Sequence, residues 1–505
     1  MERMTVTDAQ FLDLEDGFHH MHLASIGIFD GPPPSYDDIL DYVATLLPRV
    51  PRYRRKIRRV PFDLQRPVWV DDEHFNVRYH LRHAALPDPG SDSQLRNLMG
   101  RLMSQQLDRT KPLWELWIVE NLSGGRWALV SKVHQALVDG IEGSDILTLM
   151  LTPEPLKTRL EAEPWNPRPE PSDLDLLLDA GRDLATSPME QYRSVTGAFD
   201  RPRRAIEQAS HSLYQLSALA PPDRAAGSLT GPIGPHRRWH DATVSLDSVK
   251  RIRAAFEGSV NDVVLAAIAH GFRMLLLDRG EPVERRLVRT FVPVSVHSTD
   301  EKEEYDNTVS ATFTDLPVGV DHPRDALELI TRQLERLKDT DQAVAGEILT
   351  SLSGFSPPLL LALGTRAATS AAGELEGIHT ISANLPGPQI TLYLLDRPMV
   401  EAYPYLPLRN DLRLAVAAFS YNHKLYFGLT GDYDTSDDLD VLADGIEEGI
   451  AELLEAAEGA EEASTADAVS EEVQPQFSLS GCCSTARSSG PDRPSRTPAH
   501  HRFRR

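Results

Sequence analysis

Cysteine is almost missing from this chain: of its 505 residues only Cys482 and Cys483 qualify, side by side in a polar tail. Such neighbours supply neither a disulfide framework nor a spaced metal site, and a reducing cytoplasm fits them. Positive charge is short as well. Lys and Arg total 52 against 75 Asp and Glu, a formal charge of -23, whereas binding phosphate backbones needs cations clustered over a whole face. Nucleic acid is therefore a poor partner. Long apolar runs are lacking too, since the most apolar stretch, Leu359 to Leu363, is interrupted by Arg366 and falls far short of the roughly 20 residues that cross a bilayer. The opening MERMTVTDAQ carries early charges and no signal-peptide core, so the mature chain is expected to start here. G-x-G-x-x-G, G-x-x-x-x-G-K-[ST] and G-x-S-x-G are absent, which removes the usual marks of nucleotide cradles and serine hydrolases.

What is present is the balance of a soluble globular protein, 41% hydrophobic and 25% charged, with enough length for two domains. Residues 1–151 read as mixed α/β. Trp127 to Val133 alternates like a half-buried strand, delivers His134 at its end, and is followed by a helical pattern from Ile141 to Leu151 that stops before Pro153. Residues 152–240 are rich in proline around helical stretches at Asp173 to Asp183 and Arg203 to Leu216, and read as a connector. Residues 241–456 form a second α/β block. Its expected strands are Leu287 to Val296, Thr308 to Thr314, Arg413 to Ser420 and Lys424 to Thr430. Its expected helices include Pro323 to Lys338 and Leu439 to Leu454, where apolar residues recur every three or four positions. Residues 457–505 lose periodicity and read as a disordered tail. From Ser478 on this tail holds six Arg and one Asp, either a solvated end or a contact for anionic lipid headgroups.

The junction of strand, loop and helix is His134-Gln135-Ala136-Leu137-Val138-Asp139-Gly140. It nearly reproduces the His-His-x-x-x-Asp-Gly signature of CoA-dependent acyltransferases. Further segments follow in order: Thr7-Asp8-Ala9-Gln10-Phe11-Leu12 with Glu15, Pro112-Leu113-Trp114-Glu115, Asn261-Asp262-Val263-Val264, Val292-Pro293-Val294-Ser295, and Asn384-Leu385-Pro386-Gly387-Pro388. On these motifs the chain resembles the bacterial wax ester synthase/acyl-CoA:diacylglycerol acyltransferase family over roughly residues 4–455.

The resemblance implies an α/β fold of two chloramphenicol acetyltransferase-like domains with the reaction centre in a tunnel between them. It implies acyl-CoA as co-substrate, diacylglycerol or a long-chain alcohol as acceptor, no resident cofactor or metal, and a cytoplasmic protein peripheral to the inner membrane face or lipid droplets. Carried over position by position, His134, Asp139 and Gly140 match the signature, and Gln135 stands where relatives keep the general base. A carboxamide cannot take a proton near neutral pH. Pro112, Leu113, Trp114, Asn261 and Asp262 are the expected substrate contacts. Each also has a plainer reading: His134 as a structural histidine, Trp114 and Trp117 as core aromatics, Asn261-Asp262 as a helix cap. His19, His20 and His22 lack carboxylate or cysteine partners at ligand spacing, and no metal is expected there. Three functions stay open: an active synthase, with His134 as base through a His-x4-Asp pattern or with rate from alignment alone; a lipid- or acyl-CoA-binding relative without turnover; and a condensation-domain-like transfer onto a carrier-bound substrate.

Overall fold

The computed structural model describes residues 2–4, 6–137, 146–156, 164–186, 227–296, 308–339, 378–408 and 411–472. Asp139 and Gly140 of the motif, the helical stretch at 203–216, Leu359 to Leu363, the cysteines and the basic tail lie outside these residues. Met1–Gly459 forms one compact unit built around two large sheets.

The first sheet has seven strands, in the order Leu81–Ala85, Trp114–Leu122, Arg126–His134, His22–Phe29, Arg397–Tyr405, Tyr393–Leu394 and Leu151–Thr152. A tight turn joins Trp114–Leu122 to Arg126–His134. Gly124 (φ 78°) and Gly125 (φ 72°) adopt there a left-handed backbone that residues with a Cβ avoid. Arg126–His134 is the strand expected at Trp127 to Val133, and it sets His134 directly opposite His22 on its antiparallel neighbour. The helical pattern from Ile141 appears as Ile146–Met150 within the described residues.

The second sheet has six strands, in the order Thr308–Leu316, Val288–Val296, Thr380–Leu385, Leu414–Tyr421, Lys424–Asp432 and Arg237–Ser245. Leu414–Tyr421 is covered on both faces: Ala415, Ala417 and Tyr421 pack into the core shared with the first sheet, and Leu414, Val416 and Ala418 into a second core under the helices. Burial on both faces is why this strand reads as a continuous apolar run. The helix Val260–Asp278 lies in that second core and is long and apolar enough to cross a membrane by composition alone. Its apolar surface is instead taken up by packing, as expected of a helix hydrophobic all round.

The chain is partitioned differently from the sequence reading. Arg237–Ser245 opens the second sheet before residue 241, and Arg397–Tyr405, from the second half, pairs with His22–Phe29 in the first sheet. Strand periodicity reports burial and not which edge a strand will join, so this exchange leaves no local signature. The last helix spans Leu439–Glu472 and continues past 456. Its extension is built mainly from Ala and Glu, strong helix formers that need no apolar period to hold a helix.

Candidate active site

The turn that follows Arg126–His134 is fixed by its backbone before any side chain acts. His134 N–H donates to Leu113 O (3.0 Å) and Gln135 N–H to Met21 O (2.8 Å), so the Pro112-Leu113-Trp114 segment and the strand preceding His22 grip it from two sides. Gln135–Leu137 then forms one 3-10 turn, against which the helix Val6–Leu14 packs. Ala136 N–H donates to His134 Nδ1 (3.0 Å). That bond uses the Nδ1 lone pair and leaves the ring proton on Nε2, which faces Glu15 Oε2 at 3.4 Å.

Glu15 is the centre of a buried charged cluster. Arg109 reaches Oε2 with Nη2 (2.6 Å) and Nε (3.0 Å), while His22 Nε2 stands 3.1 Å from Oε1. The glutamate side chain is 1% exposed and the guanidinium 39%, so the pair leads from the interior to solvent. Burial alone would raise the Glu15 carboxyl; hydrogen bonds and charge from His134 and His22 outweigh it and hold the group well below its ordinary 4.5. His22 is pushed well below 6.5, first by burial and then by the Lys132 ammonium. Lys132, itself buried, donates to Leu102 O (2.9 Å) and to Gln105 O, carbonyls at the end of the helix Asp92–Met103. Burial brings its ammonium down to about 8.

Of the expected site residues, His134, Gln135, Pro112, Leu113 and Trp114 are brought together. The Trp114 indole donates to Tyr53 O (2.7 Å) and stacks on His80 with ring centroids 4.5 Å apart, so in this structure it is a core aromatic. Gln135 is 1% exposed. Asn261 and Asp262 belong to a second cluster. Asp262 closes a capping box with Ser259, accepting from its N–H (2.9 Å) and hydroxyl (2.5 Å), and takes a further bond from Thr331 (3.3 Å). The cap directs Asp262 into its own helix end. Asn261 instead faces Asn384, whose amide donates to it across 3.5 Å, and so two motifs distant in sequence meet at one helix start. Just beyond, a Cβ on Gly387 would stand 2.2 Å from Ser420 O, a contact only glycine permits.

The three neighbouring histidines take separate partners: His19 Nδ1 pairs with Asp16 (2.9 Å), His20 Nδ1 lies 3.5 Å from Met103 O, and His22 faces Glu15. Glu15 carries a signal in sequence, one position beyond the helix that opens with the Thr-Asp-Ala-Gln-Phe-Leu motif, though not one that assigns its role. Arg109 and Lys132 carry none.

A sequence model of the wax ester synthase/diacylglycerol acyltransferase catalytic domain matches residues 4–264, and one of the WS/DGAT C-terminal domain matches residues 305–454. A protein described as a probable diacylglycerol O-acyltransferase of Mycobacterium tuberculosis is 33% identical over 464 residues, 90% of this chain and 96% of the relative. The solved wax ester synthase/diacylglycerol acyltransferase of Marinobacter aquaeolei VT8 is 26% identical, with a TM-score of 0.62 over 90% of this chain and 99% of that one. The first condensation domain of the calcium-dependent antibiotic synthetase shares the fold, at 15% identity and a TM-score of 0.53 over 90% of this chain and 96% of that one. With both family domains matched in order and the expected two-part α/β fold in place, this chain belongs to the wax ester synthase/diacylglycerol acyltransferase family.

Proposed function

We propose that the chain moves a long-chain acyl group from acyl-CoA to diacylglycerol, with a long-chain alcohol as the second class of acceptor. One observation carries the reading: His134 Nδ1 is taken by Ala136 N–H and its Nε2 points back at Glu15, 3.4 Å away in the buried cluster, so it holds the motif turn and leaves position 135 to meet the acceptor. The acceptor hydroxyl oxygen attacks the thioester carbonyl carbon; the new C–O bond forms, the C–S bond breaks, and the hydroxyl proton ends on the CoA sulfur. The Gln135 carboxamide accepts a hydrogen bond from the hydroxyl and orients it without taking its proton. Rate then comes from alignment of the two substrates and exclusion of water from the thioester, in a tunnel between the two sheets. The names of the mycobacterial and marine relatives support the substrate classes. Acceptors of this kind are insoluble, which puts the reaction at a lipid surface on the cytoplasmic side, with the protein bound peripherally and the arginine tail as a second contact.

The carboxamide at 135 also favours a second reading, a relative that binds acyl-CoA without turnover. Labelled palmitoyl-CoA, offered with diacylglycerol and with hexadecanol, separates the two. The native chain is expected to form labelled triacylglycerol slowly, and Gln135→His to raise kcat by about 10²- to 10⁴-fold, the usual worth of a general base. Binding of palmitoyl-CoA with no labelled ester from either protein would overturn the enzymatic reading.

A further inference from the structure

Far from the motif turn, the second core leaves one histidine nitrogen unanswered. His270, on Val260–Asp278, is 7% exposed, and its Nε2 has no hydrogen-bond partner among the described residues. A buried ring nitrogen is normally satisfied. Facing it from Leu439–Glu472 are Glu448 and Glu452, four positions apart and so stacked on one helix face. Glu448 Oε2 lies 3.9 Å from His270 Nε2, too far for a hydrogen bond, and one donor atom from each of the three residues falls within 4.8 Å of the others.

We infer that His270, Glu448 and Glu452 form a binding site for one divalent transition metal ion, zinc before others. Two ligands on one tetrahedral zinc stand roughly 3.3 Å apart for bonds of about 2.0 Å, so donors 3.9 Å apart and within 4.8 Å overall need to close by about 0.6 to 1.5 Å. Glu448, exposed at the rim, supplies that movement by rotation. The backbones are already locked: a Cβ on Gly449 would stand 3.0 Å from His270 Cβ, and one on Gly445 2.9 Å from Gly271 Cα, so the helices touch along a glycine seam that fixes the donors' origins. An imidazole with two carboxylates suits zinc, whereas magnesium and calcium prefer oxygen alone. The carboxylates offset the ion's charge. Arg273, one turn further along, is drawn aside by Val318 O (3.0 Å) and Asp321. Bound here, the ion would pin the last helix to the one whose first turn carries Asn261, roughly 13 Å away at 1.5 Å per residue.

The test uses the full chain, stripped with chelator and titrated with zinc alone against a chromogenic competitor. Cys482, Cys483, His500 and His501 are further ligands in the chain, so the measurement is a difference between proteins. Glu448→Gln/Glu452→Gln, at exposed or half-buried positions, is expected to bind one equivalent less than wild type and to lose a zinc-dependent rise of a few degrees in Tm. His270→Ala should do the same. Cobalt in place of zinc should give wild type a weak visible spectrum that the double variant lacks, without a thiolate charge-transfer band. Equal stoichiometry in wild type and double variant, or a cobalt spectrum that is thiolate alone, would overturn the site.

Discussion

Replacing Glu15 by Gln tests whether the buried cluster behind His134 holds the motif turn. The substitution keeps the shape, removes the charge, and turns an amide N–H toward either the Arg109 guanidinium, which donates to Oε2 in the native protein, or His22 Nε2, which stands 3.1 Å from Oε1. Removing one partner of a buried ion pair costs about 3–5 kcal/mol. Arg109 is 39% exposed and its freed guanidinium can be hydrated, so the expected loss is about 2–3 kcal/mol. At about 2.1 cal/mol/K of unfolding entropy per residue, a compact unit of this size shifts by about 1 °C per kcal/mol. The expected fall in calorimetric Tm is thus about 2–3 °C at pH 7, with the same loss resolved more finely in a urea midpoint. The pH dependence is more discriminating. Folded Glu15 holds its proton less tightly than the unfolded chain, so its stabilisation is complete above about 4.5 and disappears as pH falls through the lowered folded value. Wild type and variant should therefore differ fully at pH 6–7 and converge in acid. A Tm unchanged by the substitution at pH 7, or a deficit that stays constant down to pH 3.5, would refute the cluster's role.

Lys132→Met removes the donor to Leu102 O and Gln105 O while filling the volume; it should cost about 2 kcal/mol by urea denaturation and speed amide exchange at the end of the helix Asp92–Met103. Because the folded ammonium titrates near 8 against 10.5 unfolded, wild type gains stability between those values and the deficit should widen as pH rises through them. His80, which donates to Trp114 O (2.8 Å), is held by burial at about 4 against an ordinary 6.5. The unfolded chain binds that proton first, so about 3 kcal/mol present above pH 6.5 should be lost as pH falls toward 4. His80→Phe should flatten this limb in urea midpoints taken from pH 7 to 4, and an unchanged slope would refute the assignment.

Much of this architecture was readable in advance where period and burial coincide. Arg126–His134, Val288–Val296 and Lys424–Asp432 lie within two residues of their expected ends, because each is flanked by turns or charges that stop it. The site was readable as a list of motifs and not as an arrangement. Nothing in the spacing says that Glu15, Arg109 and His22 converge on His134, since residues 94 positions apart meet only through the sheet. Lys132 reads as an outward-facing polar residue of an alternating strand; it is buried because a helix end lies over that face of the sheet. The His270 cluster was hidden for the same reason, its members coming from helices that adjoin only after the second core has formed.

The placement of Arg397–Tyr405 beside His22–Phe29 has a consequence for biogenesis. A chain that emerges from the ribosome in order must wait for most of its length before the first sheet receives this strand. Until then the His22–Phe29 edge presents unpaired N–H and C=O groups, a ready template for pairing with another nascent copy. Truncation before Arg397 would make that exposure permanent. A fragment ending near residue 390 should therefore accumulate as aggregate, although it retains every residue of the motif turn, and co-expression with the missing C-terminal portion should return it to the soluble fraction.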